Sequence, residues 1–205
     1  MLYSAGSEGS RRGILKPIEK SRARARSRTI DDMEIDATFS LKLGDEVYVT
    51  ERALAANLEA HAAALRARKD HDGILVLSAP GQAEQRIEDE LRALVPNLCF
   101  DAIPRLLDRK AVSVAYFSYP GAFDLVPVDS VIRLSGDFLS ATSYRRDDLL
   151  VALFECGCRF IRLLQRLHGE AWQYPIEALL REAAPARLAL EQAGLKPSIG
   201  LGEDA

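Results

Sequence analysis

Apolar and polar side chains alternate along two short stretches that begin the patterned part of the chain. Residues 34–39 and 46–49 place apolar side chains at every second position, which is the period of a strand with one buried face. Gly44 and Asp45 stand between the two stretches and are typical of a turn. The sequence therefore predicts an antiparallel hairpin here.

The next segments follow a helical pattern and then a continuous apolar one. From Thr50, a suitable N-cap, a helix is predicted to about Lys69, because apolar side chains recur there every three or four residues. Residues 74–77 are all apolar and predict an interior strand covered on both faces. A helix is expected from about residue 82 to 95, and a shorter one from about 100 to 110.

The second half of the chain is predicted to hold three strands followed by helices. The strands are expected at residues 112–117, 123–126 and 130–134. A long helix, apolar around most of its circumference, is predicted from about Arg146 to His168, with Ser143 or Asp147 as its cap. Two short helices that end at Gly194 complete the series, at residues 174–183 and 185–193.

This order of elements predicts the fold class. A strand, a helical crossover and a second strand make a parallel pair, which here joins residues 74–77 to residues 112–117. The predicted class is α/β or α+β, with one mixed sheet of about five or six strands, a long central helix and further helices packed around it. The expected organisation is a disordered basic tail at residues 1–32, one domain at 33–194 and a flexible tail at 195–205.

Composition and cysteine usage indicate the compartment. The chain has 205 residues, of which 48% are hydrophobic and 28% charged, the balance of a protein that buries a core. No stretch of the sequence approaches the ~18 consecutive apolar residues of a membrane span, and its N-terminus lacks the apolar stretch of a secretory signal. The three cysteines, Cys99, Cys156 and Cys158, stand among apolar residues and are predicted to be buried and free. A soluble, cytoplasmic protein without membrane contacts is expected.

Charge is distributed unevenly along the chain. Residues 1–28 hold eight basic side chains and two acids, a net charge of +6, so the net charge of −3 for the whole chain leaves −9 on residues 29–205. The basic segment has few apolar residues and no sustained period, which is typical of disorder. Its candidate electrostatic contacts are Arg22, Arg24, Arg26 and Arg28.

Three interpretations of the basic tail remain open. It is an arm that contacts nucleic acid or a membrane surface through its positive charge, or it lies over the acidic body. The third interpretation is an extension that the native protein lacks, whose chain would then begin at Met33. Contact with nucleic acid is expected only through residues 1–32.

Two predicted strands end in the same pattern, Ser-x-Pro-Gly, at residues 78–81 and 118–121. If the strands are parallel neighbours, both loops lie at the carboxyl edge of the sheet, where ligand crevices of open α/β sheets form. The simpler interpretation is two turns, since serine, proline and glycine are ordinary turn residues. The candidate crevice residues are Ser78, Gly81, Gln82, Ser118, Tyr119, Gly121 and Asp124.

Motifs that would identify a reaction are absent from the sequence. It contains no phosphate-binding G-x-x-x-x-G-K-[ST], no dinucleotide-binding G-x-G-x-x-G, no G-x-S-x-G and no H-E-x-x-H. The three histidines, His61, His71 and His168, are far apart along the chain, and each is predicted to have a structural role. No metal, cofactor or catalytic residue is therefore assigned, and the sequence favours a protein that is not an enzyme.

Three functions from different classes are consistent with these features. The first is a small acidic protein-binding module of the cytosol, because a body with a net charge of −9 attracts cationic surfaces. An immunity or antitoxin-like inhibitor of a basic partner is one concrete form of it. The second is an enzyme, or a binder of small molecules or anions, that uses the two Ser-x-Pro-Gly loops. The third is nucleic-acid contact through the basic tail.

Overall fold

The computed structural model describes residues 35–68 and 70–199. The predictions made for the basic tail, for a start at Met33 and for residues 200–205 of the flexible tail predicted at 195–205 lie outside this described part. Eight strands and six α-helices follow one another within it, so the fold belongs to the mixed α and β class that the sequence predicted.

The elements have these bounds. The first part holds β1 (Asp36–Gly44), β2 (Val47–Thr50), α1 (Glu51–Ala56) and α2 (Glu59–Ala67). The middle part holds β3 (Asp72–Ser78), β4 (Gln85–Glu90), α3 (Leu91–Val95), a π-helical turn (Pro96–Asp101) and α4 (Ala102–Leu107). Four strands follow, β5 (Val112–Ala115), β6 (Ala122–Val128), β7 (Val131–Gly136) and β8 (Leu139–Arg145). The last elements are α5 (Arg146–His168), a 3₁₀ turn (Gly169–Trp172) and α6 (Gln173–Gln192).

The strands form two antiparallel sheets of four strands each, where the sequence predicted one mixed sheet of five or six. Sheet A has the strand order β2-β1-β3-β4, and sheet B the order β5-β6-β7-β8. Leu75 of β3 lies opposite Phe39 of β1 and Ile87 of β4, and both pairings are antiparallel. The predicted parallel pair of residues 74–77 and 112–117 is therefore wrong, because β3 finds a hairpin partner in β4 and β5 pairs with β6 in the other sheet.

The prediction of a helix from residue 82 to 95 is wrong over the length of β4. In this strand Gln85, Ile87 and Asp89 are buried, and the side chains between them point outward. Two of the three buried positions are polar, so the alternation of apolar residues that marks a strand is hidden in the sequence. Only Leu91–Val95 of the predicted helix is helical.

Strand β8 was not predicted at all. Its sequence is LSATSYR, and Tyr144 is its one fully buried side chain. The apolar residues of this segment are too few to indicate a strand by alternation. Ser143 belongs to β8 and lies opposite Arg133 of β7. The predicted caps, Ser143 or Asp147, are therefore wrong: α5 starts directly after β8 with no side-chain cap.

Helix α5 begins and ends where the sequence predicted, and it is central. It packs against β1, β7, β8 and α6, and the ring of Phe160 meets the ring of Phe39 edge to face at 5.4 Å. Gly157 lies in the middle of this helix, where a Cβ atom would stand 2.6 Å from Cζ of Phe100. Close packing therefore requires glycine there despite its low helix propensity.

The other helices differ from prediction at their interruptions. Thr50 caps α1 as expected by accepting the N–H of Ala53, but the helix is broken at Asn57, whose side chain accepts the N–H of Ala60 at the start of α2. The two short helices expected at residues 174–193 are the single helix α6, which runs through Pro185 because one buried face continues across it. No helix in the described part is both long and apolar enough to cross a bilayer.

Candidate functional site

The two Ser-x-Pro-Gly loops do not share a sheet edge. Ser78 ends β3, and Gly81 and Gln82 lie in the loop that leads to β4. The side chain of Gln82 donates to the carbonyl oxygen of Ser143 at 2.8 Å. Ser118, Tyr119 and Gly121 lie in the β5–β6 loop, which contacts the far end of β4. Asp124 is exposed on β6. The parallel pair on which the shared crevice depended is absent, so the seven candidate residues divide into separate groups.

A buried carboxylate holds the β5–β6 loop in place. Asp89 of β4 is 2% exposed, and its two oxygens accept the backbone N–H groups of Phe117 and Ser118 at 2.8 Å each. Hydrogen bonds to an ionised group are roughly twice as strong as neutral ones. The hydroxyl of Tyr119 also donates to the carbonyl oxygen of Glu88, so sheet A fixes a loop of sheet B.

The β7–β8 turn is tied to the same loop. The hydroxyl of Tyr116 donates to the carbonyl oxygen of Asp137 at 2.7 Å, and the carboxylate of Asp137 accepts the N–H of Ala122 at 3.0 Å. Gly121 has a φ of +133°, and a Cβ atom there would lie 2.9 Å from Oδ2 of Asp137. These contacts keep loop and turn together.

Loop and turn carry four aromatic side chains, which we call the aromatic surface: Tyr116, Phe117, Tyr119 and Phe138. Tyr116 is buried, and all of these rings except that of Phe117 contact one another. The rings of Tyr116 and Tyr119 are stacked at 4.6 Å, and Phe138 meets them edge-on at 5.9 and 5.4 Å. Phe117 is 72% exposed and Phe138 is 77% exposed. Phe138 also has a φ of 65°, a left-handed conformation that costs a bulky residue about 1 kcal/mol.

Acidic groups flank the aromatic surface. Glu88 and Asp137 are exposed, and their backbone carbonyls accept the hydroxyls of Tyr119 and Tyr116; the carboxylate of Asp89 lies beneath the β5–β6 loop. Burial, with help from Tyr116, Asp89 and Glu88, raises the pKa of Tyr119 to about 12. The tyrosine hydroxyls therefore remain protonated donors at neutral pH, and the surface combines apolar rings with negative charge.

A second cluster joins two histidines that are far apart in sequence. The Nε2 atoms of His71 and His168 lie 3.1 Å apart, and the ring of His168 stacks on Trp172 at 3.8 Å. The guanidinium of Arg92 lies 4.8 Å from the centre of the Trp172 ring. Burial, then the nearness of His168 and Arg92, lowers the pKa of His71 to about 4, and burial also lowers the pKa of His168.

The hydrogen bond between the two rings has a preferred direction. Nδ1 of His71 is buried without a hydrogen-bond partner, and an unpaired N–H is rarer in proteins than an unpaired acceptor. We infer that His71 carries its proton on Nε2 and donates it to His168. Nothing in the sequence indicates this pairing, which depends on the end of α5 meeting the start of β3.

A small cavity lies beside three arginines of α5. Arg159, Arg162 and Arg166 follow one another at helical spacing and line a space of about 170 Å³ together with Phe39, Glu51, Ala55 and Leu163. The guanidinium of Arg159 donates to Oε1 of Glu51 at 2.5 Å and to the carbonyl oxygen of Ala37 at 2.6 Å. The spacing of the three arginines in the sequence indicates that they share one face of α5. The residues of β1 and α1 that lie beside them cannot be inferred from the sequence.

Nucleophilic and metal chemistry find little support in these residues. Cys99, Cys156 and Cys158 are buried and free, as predicted, and burial raises the pKa of Cys158 to about 12. A neutral buried thiol is a poor nucleophile. In the described part of the chain no three histidine, cysteine or acidic side chains are grouped to hold a metal ion.

Three features of the described residues thus invite a functional interpretation: the aromatic surface, the histidine pair and the cavity beside the arginines. None has the nucleophile, base and oxyanion geometry of a hydrolytic site. Comparisons of this chain with models of protein families, with curated proteins and with solved structures found no match.

Proposed function

We propose that this protein is a protein-binding module and that its partner docks on the aromatic surface. The observation that supports this proposal is the exposure of Phe117, on a loop held by the buried Asp89, and of Phe138, on a turn tied to that loop by Tyr116 and Asp137. Aromatic side chains are enriched at the centres of protein interfaces, where a few residues supply most of the binding energy. Phe138 adds a strained backbone, and local strain concentrates at functional positions.

The rigidity of the aromatic surface favours binding. Asp89, Asp137 and Gly121 hold the loop and the turn before any partner arrives. Conformational entropy is then lost during folding and not during association, so more of the contact energy remains for affinity.

The charge around the aromatic surface favours a basic partner. Glu88 and Asp137 attract cations, and an arginine of the partner can stack on an exposed ring while it pairs with a carboxylate. The net charge of −9 on residues 29–205 acts in the same direction at longer range. An inhibitor of a basic enzyme, as immunity and antitoxin proteins are, is one form of this function.

The test compares the unmodified protein with a Phe117→Ser/Phe138→Asn double variant as bait in its native host. We expect a partner that the unmodified protein captures and the double variant does not, with affinity for the purified partner at least about 100-fold weaker. Asn tolerates the left-handed conformation at position 138, so the double variant should unfold no more easily than the unmodified protein.

A matched control is Tyr174→Ser on α6, which removes another exposed ring outside the aromatic surface. It should leave capture and affinity unchanged. A partner that binds the double variant as tightly as the unmodified protein, or that is lost with Tyr174→Ser instead, would contradict the proposal.

A further inference from the structure

We propose that His71, His168 and Trp172 form an acid-sensitive latch, which releases the turn between α5 and α6 when both histidines are protonated. This turn is the 3₁₀ segment Gly169–Trp172. The latch shares no residue with the aromatic surface and does not depend on the function proposed for that surface. Three observations support it: the geometry of the two imidazole rings, the charges around them, and the difference in how firmly each ring is held.

The contact between the two histidines cannot accept a proton on both rings. Their Nε2 atoms lie 3.1 Å apart, the distance of a hydrogen bond in which one nitrogen donates and the other accepts. A single added proton is compatible with this contact only if His71 carries its own proton on Nδ1, which is buried without a partner. When both rings are charged, each Nε2 carries a hydrogen and neither can accept. The rings must then separate.

The charges around the pair also oppose protonation. Among the described residues, the charged side chains near the two rings are Arg66 and Arg68 from the end of α2, Arg92 from α3, Asp70 before β3, and Glu90 from β4. Asp70 is already paired with Arg68 at 3.3 Å, and Glu90 accepts two backbone N–H groups. Little negative charge is therefore free to stabilise a second imidazolium in the closed latch.

One ring of the pair is fixed and the other can move. The backbone N–H of His71 donates to Oε1 of Glu90 at 3.1 Å, and its carbonyl oxygen accepts the N–H of Leu91 at 3.0 Å. His168 instead ends α5, and the turn that follows it has no fully buried residue and no side-chain cap. A segment with few buried contacts opens at low cost, so we expect His168 and the turn to move while His71 stays in place.

Trp172 is released together with His168. The two rings are stacked at 3.8 Å and 7°, and an aromatic ring attracts a cation that lies over its face, so protonation does not part them. The same tryptophan meets the ring of His71 edge to face at 5.1 Å, and this contact is lost on opening. A groove between α5 and α6 then changes shape, because residues of the turn line it.

Acid opens the latch and neutral pH closes it. Burial, then the nearness of His168 and Arg92, lowers the pKa of His71 from 6.5 to about 4 in the closed latch, so an open latch binds protons more readily. Closure is fully favoured above about pH 6.5 and loses its advantage as the pH falls towards 4. We expect a midpoint for opening at about pH 5.

Trp172 is the single tryptophan of the chain, so its fluorescence reports on the latch alone. The full chain is titrated from about pH 7 to about pH 4.5, and we expect quenching of this fluorescence by acrylamide to rise at least about twofold as the turn opens. Far-ultraviolet circular dichroism recorded in parallel should not change, because the helices and sheets stay folded. No rise in quenching, or a rise that appears only together with loss of the dichroism signal, would overturn the proposal.

Variants assign the response to the two histidines. His71→Phe and His168→Phe each keep an aromatic ring but leave one titratable group in the pair, so each should abolish the rise in quenching. Either variant suffices if the other fails to fold. His61→Gln, on α2 outside the pair, is the matched control and should respond as the unmodified protein does. A rise that persists in a folded phenylalanine variant, or that disappears in His61→Gln, would contradict the latch.

Discussion

Asp89 and His71 are equally buried, at 2% exposure, yet the hydrogen-bond partners and charges around the two side chains differ. Both oxygens of the Asp89 carboxylate accept N–H groups of the β5–β6 loop. His71 instead faces another histidine, has one ring nitrogen without a partner and lies near the cations Arg92 and Arg68. The difference shows that the donors and charges around a buried group, more than burial itself, decide what the group does.

The two environments meet at the end of β4. Glu90, next to Asp89, accepts the backbone N–H groups of His71 at 3.1 Å and of Arg92 at 3.3 Å. Two neighbouring carboxylates on one strand therefore anchor two different regions, the aromatic surface and the histidine pair. Three experiments, ordered from the largest expected effect to the smallest, test how far the two regions differ.

Asp89→Ala should have the largest effect on stability. It removes two part-buried hydrogen bonds to a charged acceptor, each of which contributes about 1.5–3 kcal/mol, so we expect the free energy of unfolding to fall by about 4 kcal/mol. Urea denaturation followed by circular dichroism measures it. Asp89→Asn keeps one acceptor oxygen and should cost about half as much. A loss below about 1 kcal/mol for the alanine variant would show that Asp89 is no anchor.

Acid should destabilise the protein through His71. Its pKa is about 4 in the folded protein against 6.5 when unfolded, so the unfolded chain binds more protons between these values. This contribution to stability is complete above about pH 6.5 and is lost as the pH falls to about 4, by about 3 kcal/mol. Urea denaturation across this pH range measures the loss.

The control for this pH dependence is a pair of histidine variants. His71→Phe keeps a ring of similar size and should remove most of the loss between pH 6.5 and 4. His61→Gln, on α2 outside the pair, should retain it. The same slope in all three proteins would mean that other groups govern the acid response.

Arg92→Gln should have the smallest effect. Arg92 is one of the groups that lower the pKa values of both His71 and His168, but its side chain is exposed and solvent screens its charge. Its removal should raise both pKa values and reduce the acid destabilisation by about 0.5 kcal/mol. Titration of the histidine ring signals by NMR measures the shift directly, and a fall in either pKa would contradict the expected sign.

Local patterns account for what was predictable in this fold. The hairpin of β1 and β2, the helix cap at Thr50 and the full length of α5 follow from periods and caps within a few residues. Strand β4 was misassigned because Gln85 and Asp89 occupy buried positions in it. Their partners, Thr142 for Gln85 and the loop amides for Asp89, are distant in sequence, so no local pattern marks these polar residues as buried.

The candidate site was predictable only in part for the same reason. Ser118, Tyr119 and Gly121 were singled out as a loop, and they do lie in the β5–β6 loop beside the aromatic surface. Phe138 is an apolar residue next to a Gly-Asp turn, a pattern in the sequence that is consistent with an exposed ring. No pattern in the sequence indicates that Asp89 is buried or that His71 contacts His168, since each depends on contacts between separate elements.

By itself the sequence determined the mixed class, the central helix and the free, buried cysteines, because hydrophobic period and side-chain chemistry act over short distances. Tertiary structure alone decided the division into two sheets and the antiparallel partner of each strand. It also decided which polar groups are buried together. Strand pairing joins residues far apart in the chain, and a buried polar residue is stable only beside the partner that folding brings to it.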